Sequence, residues 1–206
     1  MRYLVAFVVI LATLGLSANG KQAIPLDKLL ARNVAVETGE GHGTGVIVSS
    51  GFVLTNFHVL HAGSEVKING KLARVVKVDP KNDLALLATD TPPLSALQVA
   101  QSITLDQEIV CTGNPLEHKG MVSRGRIVAI ENNSAYTDAH LFFGNSGGGA
   151  YNTSGELVGI VRGIEGKSGD GFPYGIIIPA NVVRTFLELR RPKDISTKVS
   201  RPDSLK

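Results

Sequence analysis

The sequence predicts an all-β protein with one short helix near its C-terminus. Short runs rich in valine and isoleucine recur along most of the chain, bounded by glycine, asparagine, aspartate and serine. This pattern is typical of antiparallel strands joined by turns, and long helical spacing of apolar residues is absent from the same region. With 206 residues, 43% of them hydrophobic, and no tryptophan, the composition suits one compact β-rich unit or two small barrels sharing a cleft.

Nine apolar runs predict strands. They comprise residues 34–36, 45–48, 52–55, 66–68, 72–78, 84–88, 109–112, 121–130 and 157–161. The turn signal Asp90-Thr91-Pro92-Pro93 interrupts this series. We therefore expect an N-terminal β-barrel over residues 19–93 and a C-terminal β-barrel with a closing helix over residues 94–191.

Helical spacing is confined to short segments. In residues 181–189 one side of a helix would carry Val182, Val183, Phe186 and Leu187. Pro179 lies where a helix can start, so this helix should close the second barrel. Residues 26–32 could form one or two helical turns. Residues 192–206 are polar and charged, which predicts a disordered tail and no further domain.

The N-terminus has the layout of a secretory signal. A basic start, Met1-Arg2-Tyr3, precedes an apolar run and the small residues 17–20. We expect residues 1–18 to be a signal peptide and the mature protein to be exported, either periplasmic or secreted. The apolar run is short for a membrane span of about 20 residues, although an uncleaved anchor stays open as an alternative.

Charge and cysteine content limit the partners. The formal net charge is only +3 with scattered basic residues, which gives little support for binding nucleic acid or a membrane surface. Cys111 is the only cysteine, so no internal disulfide can form, and we expect it to pack as a small buried residue. The sequence lacks a His-Glu-x-x-His motif and paired cysteines, so it predicts no metal and no other cofactor.

The segment Gly144-Asn145-Ser146-Gly147-Gly148-Gly149 is the most informative motif. Three glycines directly after a serine let other backbone segments and a substrate approach its hydroxyl closely. A serine hydroxyl is a weak nucleophile at neutral pH, so it needs a base within hydrogen-bond reach and a third group to orient that base. The motif therefore predicts the loop of an activated nucleophile, Ser146.

His58 and Asp83 are candidates for the base and the orienting acid. Asp83 directly precedes the apolar run 84–87, which should carry it toward the barrel interface, where a buried carboxylate needs a partner such as His58. The competing residues are His42, His61, His118 and His140 for the base, and Asp79 and Asp90, both in turn-like surroundings, for the acid. A histidine that merely ends a strand and an aspartate that merely serves a turn are the structural alternatives.

Taken in order, these motifs resemble those of the trypsin-like serine proteases, most closely the bacterial HtrA-like branch. The resemblance rests on Thr55-Asn56-Phe57-His58-Val59, Asn82-Asp83-Leu84 and the serine loop, and on further blocks at residues 43–48, 113–116, 137–139 and 175–181. The first of these motifs selects His58 as the base, because in this family it ends a strand and begins a short turn that directs the imidazole into the cleft. It implies two six-stranded antiparallel β-barrels of chymotrypsin type, and an endopeptidase that cleaves protein or peptide substrates through an acyl-enzyme. The PDZ domain common in that branch is not expected in this chain.

The resemblance also assigns an oxyanion hole and a specificity pocket. The backbone amides of Gly144 and Ser146 would hold the oxyanion, with Asn145 shaping the turn between them. His140 would form the pocket floor, and Val161, Arg162 and Gly163 would contribute to its walls. A floor without an acidic residue disfavours Lys or Arg before the scissile bond. It favours a small or medium apolar side chain or, through His140 with Arg162, an acidic one.

Several alternatives stay open at this point. Phe142 and Phe143 precede Gly144 where the family more often has other residues, which leaves the activity of the loop open; we expect both rings to pack into the barrel. A catalytically silent binding protein on the same scaffold is the second hypothesis. An α/β-hydrolase esterase is disfavoured because it requires the chain order Ser, Asp, His. A monomer is favoured, and a trimer is possible.

Overall fold

A computed structural model describes residues 26–39, 41–60, 65–115, 120–166 and 171–188 of the chain. The predicted signal peptide at residues 1–18, the predicted tail at residues 192–206, and His61 and His118 lie outside these ranges. Within them the protein is mostly β-structure arranged in two units. None of the described helices is long and apolar enough to cross a membrane.

The first unit is a curled antiparallel sheet that follows a short helix, α1 (Leu26–Leu30). Its strands are β1 (Asn33–Glu37), β2 (His42–Ser49), β3 (Phe52–Thr55), β4 (Lys67–Ile68), β5 (Lys71–Leu72), β6 (Arg74–Asp79) and β7 (Leu84–Ala88). Their spatial order is β5-β4-β1-β2-β3-β7-β6. A single 3₁₀ turn, His58–Leu60, follows β3.

The first unit has seven strands because the predicted run 72–78 is divided. Asn69 and Gly70, both with positive φ, form a two-residue turn of the I′ kind between β4 and β5. At Ala73 the N–H donates to the Val66 carbonyl (2.9 Å). This bond continues the pairing of the hairpin to Val66 and Ala73, and from Arg74 onward the chain pairs with β7 instead, as β6.

The second unit is a closed six-stranded barrel, in the order β10-β13-β12-β11-β8-β9. Its strands are β8 (Glu108–Gly113), β9 (Met121–Glu131), β10 (Ser134–Thr137), β11 (Gly149–Tyr151), β12 (Leu157–Glu165) and β13 (Tyr174–Pro179). The predicted closing helix is α2 (Ala180–Glu188), which buries Val182, Val183 and Phe186. The all-β prediction is thus confirmed.

Three apolar cores stabilise the molecule. One fills the first sheet and includes Val36, Ile47 and Val53; a second fills the closed barrel. The third draws on both units, with Leu54 and Leu84 from the first and Tyr151 and Ile160 from the second, and α2 packs on it. Burial of this shared core fixes the seam between the units, because removing apolar surface from water is the dominant favourable term in folding.

Cys111 lies inside the second barrel on β8, as the sequence predicted. Burial raises the pKa of its thiol to about 12, because an apolar environment disfavours the thiolate. The side chain therefore acts as a small apolar residue of the core.

Candidate active site

Asp83 is held in an unusual backbone conformation just before β7. Its φ is 56°, in the left-handed region that few residues other than glycine adopt. The carbonyl of Asp83 accepts hydrogen bonds from the Phe57 N–H (3.2 Å) and from Nδ2 of buried Asn56 (3.0 Å). These bonds tie the start of β7 to the chain after β3, and they bring Asp83 next to His58.

The His58 imidazole and the Asp83 carboxylate form a two-point contact. Nδ1 of His58 lies 2.8 Å from Oδ2 of Asp83, and the His58 N–H donates to Oδ1 (2.9 Å). The carboxylate side chain is only 9% exposed, whereas the imidazole is 49% exposed. Since an ionised carboxylate can only accept hydrogen bonds, this contact assigns the proton of a neutral imidazole to Nδ1, and Nε2 of that tautomer has the lone pair that a general base needs.

The competing residues have other surroundings. Asp79 accepts bonds from the backbone N–H and Nδ2 of Asn82, and these bonds hold the pKa of Asp79 below its ordinary value. Asp90 lies 3.5 Å from Lys71 on the surface. His42 begins β2, and the His140 ring stacks on Phe172 with centroids 4.0 Å apart.

The serine loop consists of two consecutive turns. In the first, the Asn145 N–H donates to the Phe142 carbonyl (3.1 Å), and Gly144 has φ 93°. In the second, the Gly148 N–H donates to the Asn145 carbonyl (2.9 Å), and Gly147 has φ 86°. A positive φ at only the third residue indicates turns of type II, which favour glycine there.

This backbone leaves two amides available. Within the described part of the chain, the N–H groups of Gly144 and Ser146 have no hydrogen-bond acceptor, although Gly144 is buried and Ser146 is partly buried. A buried amide without an acceptor is uncommon in proteins. Paired amides of this kind beside a nucleophile are suited to hold an oxyanion.

Thr44 on β2 fixes the serine loop from the opposite unit. Its N–H donates to the Ser146 carbonyl (2.8 Å), and its hydroxyl donates to the Gly144 carbonyl (2.7 Å). The same hydroxyl accepts from the Asn114 N–H (2.8 Å). Sequence reasoning gave Thr44 no role, although a threonine between Gly43 and Gly45 in an apolar strand was a signal of a buried polar contact.

The glycines after Ser146 allow this close packing. A Cβ on Gly147 would lie 1.9 Å from the Thr44 carbonyl oxygen, and one on Gly148 would lie 2.1 Å from the Thr112 carbonyl oxygen. The loop backbone is therefore pressed against strands of both units. The Gly147 N–H also donates to the Val161 carbonyl, and the Val161 N–H donates to the Gly148 carbonyl, both at 2.8 Å.

The Ser146 hydroxyl donates to the Arg162 carbonyl (3.1 Å). Among the described residues it makes no hydrogen bond to His58. Arg162 is the additional residue of a β-bulge, because Val161 pairs with Ile177 and Gly163 with Ile176. The Arg162 side chain also turns toward the site, with Nε 3.5 Å from Oδ2 of Asp83. The structure thus brings His58 and Asp83 into contact and links Ser146 to them through Arg162.

The aromatic residues before Gly144 differ from the expectation. Phe142 is 44% and Phe143 is 78% exposed, so the expectation that both pack into the barrel was wrong. The turn places Phe143 at its outer corner, and Leu141 is buried in the barrel instead. Two of the predicted specificity residues have different surroundings. His140 lies against Phe172, whereas Arg162 faces Asp83.

A cleft of about 510 Å³ opens beside the pair of His58 and Asp83. It is lined by Phe57, His58, Pro80, Asp83, Arg162, Gly163, Ile164, Glu165 and Ile176. Both units contribute to it, so it lies at the seam. In the described ranges no group of three or more His, Cys, Asp or Glu side chains could hold a metal ion.

Comparison with known proteins places these features in a family. The family model of the trypsin-like peptidase domain matches residues 43–160. The chain is 35% identical over 161 residues to the periplasmic serine endoprotease DegP of Salmonella typhimurium, covering 69% of this chain and 34% of that protein. It is 33% identical to the periplasmic pH-dependent serine endoprotease DegQ of Escherichia coli, covering 72% of this chain and 37% of that one.

A solved structure agrees with these relatives. The serine endoprotease of Yersinia pestis superposes with a TM-score of 0.69 at 28% identity, covering 80% of this chain and 64% of that chain. The present chain spans about one third of the length of the curated relatives it matches.

Proposed function

Because this chain belongs to the trypsin-like peptidase family and is related to HtrA-type serine endoproteases, we propose that it is an exported serine endopeptidase. Its substrates are proteins or peptides, and it hydrolyses them through an acyl-enzyme intermediate. The observation that carries the proposal is the two-point contact between His58 and Asp83, beside a serine loop with two available amides.

In this mechanism Ser146 is the nucleophile. Its Oγ attacks the carbonyl carbon of the scissile peptide bond, while the hydroxyl proton passes to Nε2 of His58. Asp83 stays ionised and stabilises the imidazolium. The amides of Gly144 and Ser146 hold the negative oxygen, and buried Asn145 shapes the turn between them; losing one such donor typically costs about 10²–10³ in rate.

The tetrahedral intermediate then breaks the carbon–nitrogen bond. His58 gives its proton to the leaving amine, and an ester on Ser146 remains. A water molecule, losing a proton to His58, attacks that ester and releases the new carboxyl group together with the free serine. Atoms and protons balance over the two halves, so His58, Asp83 and Ser146 return to their starting states.

The strand beside Ser146 is the proposed substrate-binding element. Val161 is joined to the serine loop by hydrogen bonds to Gly147 and Gly148, and Arg162 and Gly163 line the cleft. We assign the floor of the specificity pocket to His140, which stacks on the partly exposed Phe172. Neither residue is acidic, which disfavours a basic side chain before the scissile bond.

A silent binding protein is the second candidate, and one observation favours it. The Ser146 hydroxyl donates to the Arg162 carbonyl, which is not the partner that catalysis needs. A rotation of the serine side chain about χ1 between staggered positions would redirect the hydroxyl. Hydrogen bonds of catalytic groups are often long or misaligned before substrate binds, so the peptidase is the preferred function.

A fluorophosphonate probe, which reacts with activated serines, separates the two candidates. We expect covalent labelling of the wild type and none of Ser146→Ala. The matched control is Ser154→Ala, which removes a hydroxyl in the β11–β12 connection and should be labelled like the wild type. A folded wild type that takes up no label would overturn the peptidase and favour the silent scaffold. N-terminal sequencing of exported protein tests whether the signal is cleaved, and an intact Met1 would contradict cleavage.

A further inference from the structure

The bulge in β12 gives Arg162 a position that regular pairing would not. Val161 and Gly163 pair with the adjacent residues Ile177 and Ile176, so Arg162 has no partner across the ladder. Bulges near active sites commonly redirect a side chain. Here the bulge directs the guanidinium toward Asp83 and into the cleft beside His58.

In the ion pair of Arg162 and Asp83, the positively charged side chain is the more exposed one. The Arg162 side chain is 47% exposed, whereas that of Asp83 is 9% exposed and already accepts two hydrogen bonds from His58. Only Nε of Arg162 is directed at Asp83. Neither Nη atom has a hydrogen-bond partner among the described residues, so four of the five N–H donors of this half-exposed guanidinium can bind a ligand.

We propose that Arg162 is a specificity-determining residue that binds an acidic side chain of the substrate close before the scissile bond. The inference rests on the proposed function and names its substrate class. A guanidinium binds a carboxylate in a charge-assisted and often bidentate way. The acidic side chain should lie close to the scissile bond, because the carbonyl of Arg162 accepts the hydrogen bond of the Ser146 hydroxyl.

Glu165 limits the acidic preference to that position. It lies three residues further along β12, is exposed and lines the same cleft. No ion pair joins Glu165 to any side chain of the described ranges, so its carboxylate would repel a second carboxylate nearby. The cleft should therefore accept an acidic residue beside Arg162 and disfavour one beside Glu165.

Matched fluorogenic peptides test the inference. There is one pair of peptides for each of the three positions before the scissile bond. The two peptides of a pair differ only by Glu or Gln at that position, and kcat/KM is measured for each peptide. At one position we expect the wild type to prefer Glu on the order of tenfold, the usual value of a hydrogen bond to a charged group. Arg162→Gln should equalise the two peptides, and Arg162→Glu should favour a Lys peptide. Because each result is a ratio within one variant, a general loss of activity cancels.

Glu165→Gln is the control. This variant should keep the preference for Glu at the position near Arg162. At the position farthest from the scissile bond, where Glu165 would repel a substrate carboxylate, the variant should discriminate less against Glu. A wild type that labels with fluorophosphonate and cleaves both peptides equally would overturn the role of Arg162 and leave the peptidase intact. If the wild type neither labels nor cleaves, the proposed function fails. Fluorescence anisotropy of the same peptides then decides, because equal affinity for Glu and Gln would overturn the subsite as well.

Discussion

Gly147→Ala is the substitution whose effect can be worked out most directly from the structure. Gly147 has φ 86°, and a Cβ there would lie 1.9 Å from the Thr44 carbonyl oxygen and 2.3 Å from Oγ1 of Thr55. The left-handed conformation costs a residue other than glycine roughly 1–2 kcal/mol, and overpacking of a tight site adds about 1–3 kcal/mol. We therefore expect a loss of about 2–5 kcal/mol, a large part of the stability of an ordinary domain.

Gly166→Ala separates the two contributions. Gly166 also has a positive φ, 65°, but a Cβ there would meet nothing within 4 Å, so only the conformational cost of roughly 1–2 kcal/mol applies. Urea unfolding followed by circular dichroism gives the free energy of unfolding of both variants and the wild type. If Gly147→Ala is no less stable than Gly166→Ala, the packing of the serine loop against β2 is refuted, together with the support it gives to the oxyanion hole.

Two further predictions concern the aspartates near the site. Asp83→Asn should fold almost normally, since asparagine tolerates the left-handed backbone, but should lower kcat about 10⁴-fold, because an amide N–H facing Nδ1 of His58 would impose the wrong tautomer. Asp106→Asn, with the same change at a left-handed position of φ 61° on the surface, is the control, and a turnover of Asp83→Asn similar to the wild type would reassign the orienting role. The hydrogen bonds from Asn82 lower the pKa of Asp79, so their stabilisation is complete above the ordinary aspartate pKa of about 4 and is lost as the pH falls below it. Asp79→Asn should flatten the acid limb of a plot of unfolding free energy against pH, and an unchanged slope would contradict this assignment.

Much of the fold followed from local patterns. The apolar runs that became β2, β3, β7 and β8 alternate with clear turn residues, and the helical spacing after Pro179 defined α2 within one residue at each end. Strand β13 was not among the nine predicted runs, and neither were the short strands β10 and β11. The two short strands have only three or four residues each, and β11 begins inside a glycine-rich loop, so pairing within the barrel decides these strands more than local preference does.

Site residues that belong to sequence motifs could be predicted, whereas features that depend on strand pairing or turn type could not. The contact between His58 and Asp83 could be anticipated, because Asp83 precedes a buried strand and a buried carboxylate needs a partner. The position of Arg162 could not, since a bulge depends on how two distant strands pair. The exposure of Phe143 depends on a turn type that a glycine permits but does not impose.

The hydrogen bonds from Thr44 to the serine loop have a consequence for the timing of activity. The half of the chain that carries the nucleophile forms the turns of the serine loop, but two of the hydrogen bonds that anchor this loop come from Thr44, which belongs to the half synthesised first. A fragment of the second barrel alone would therefore contain the serine but lack the two hydrogen bonds with which Thr44 anchors its loop. If the chain is the peptidase proposed above, full activity would therefore arise only once both halves have docked.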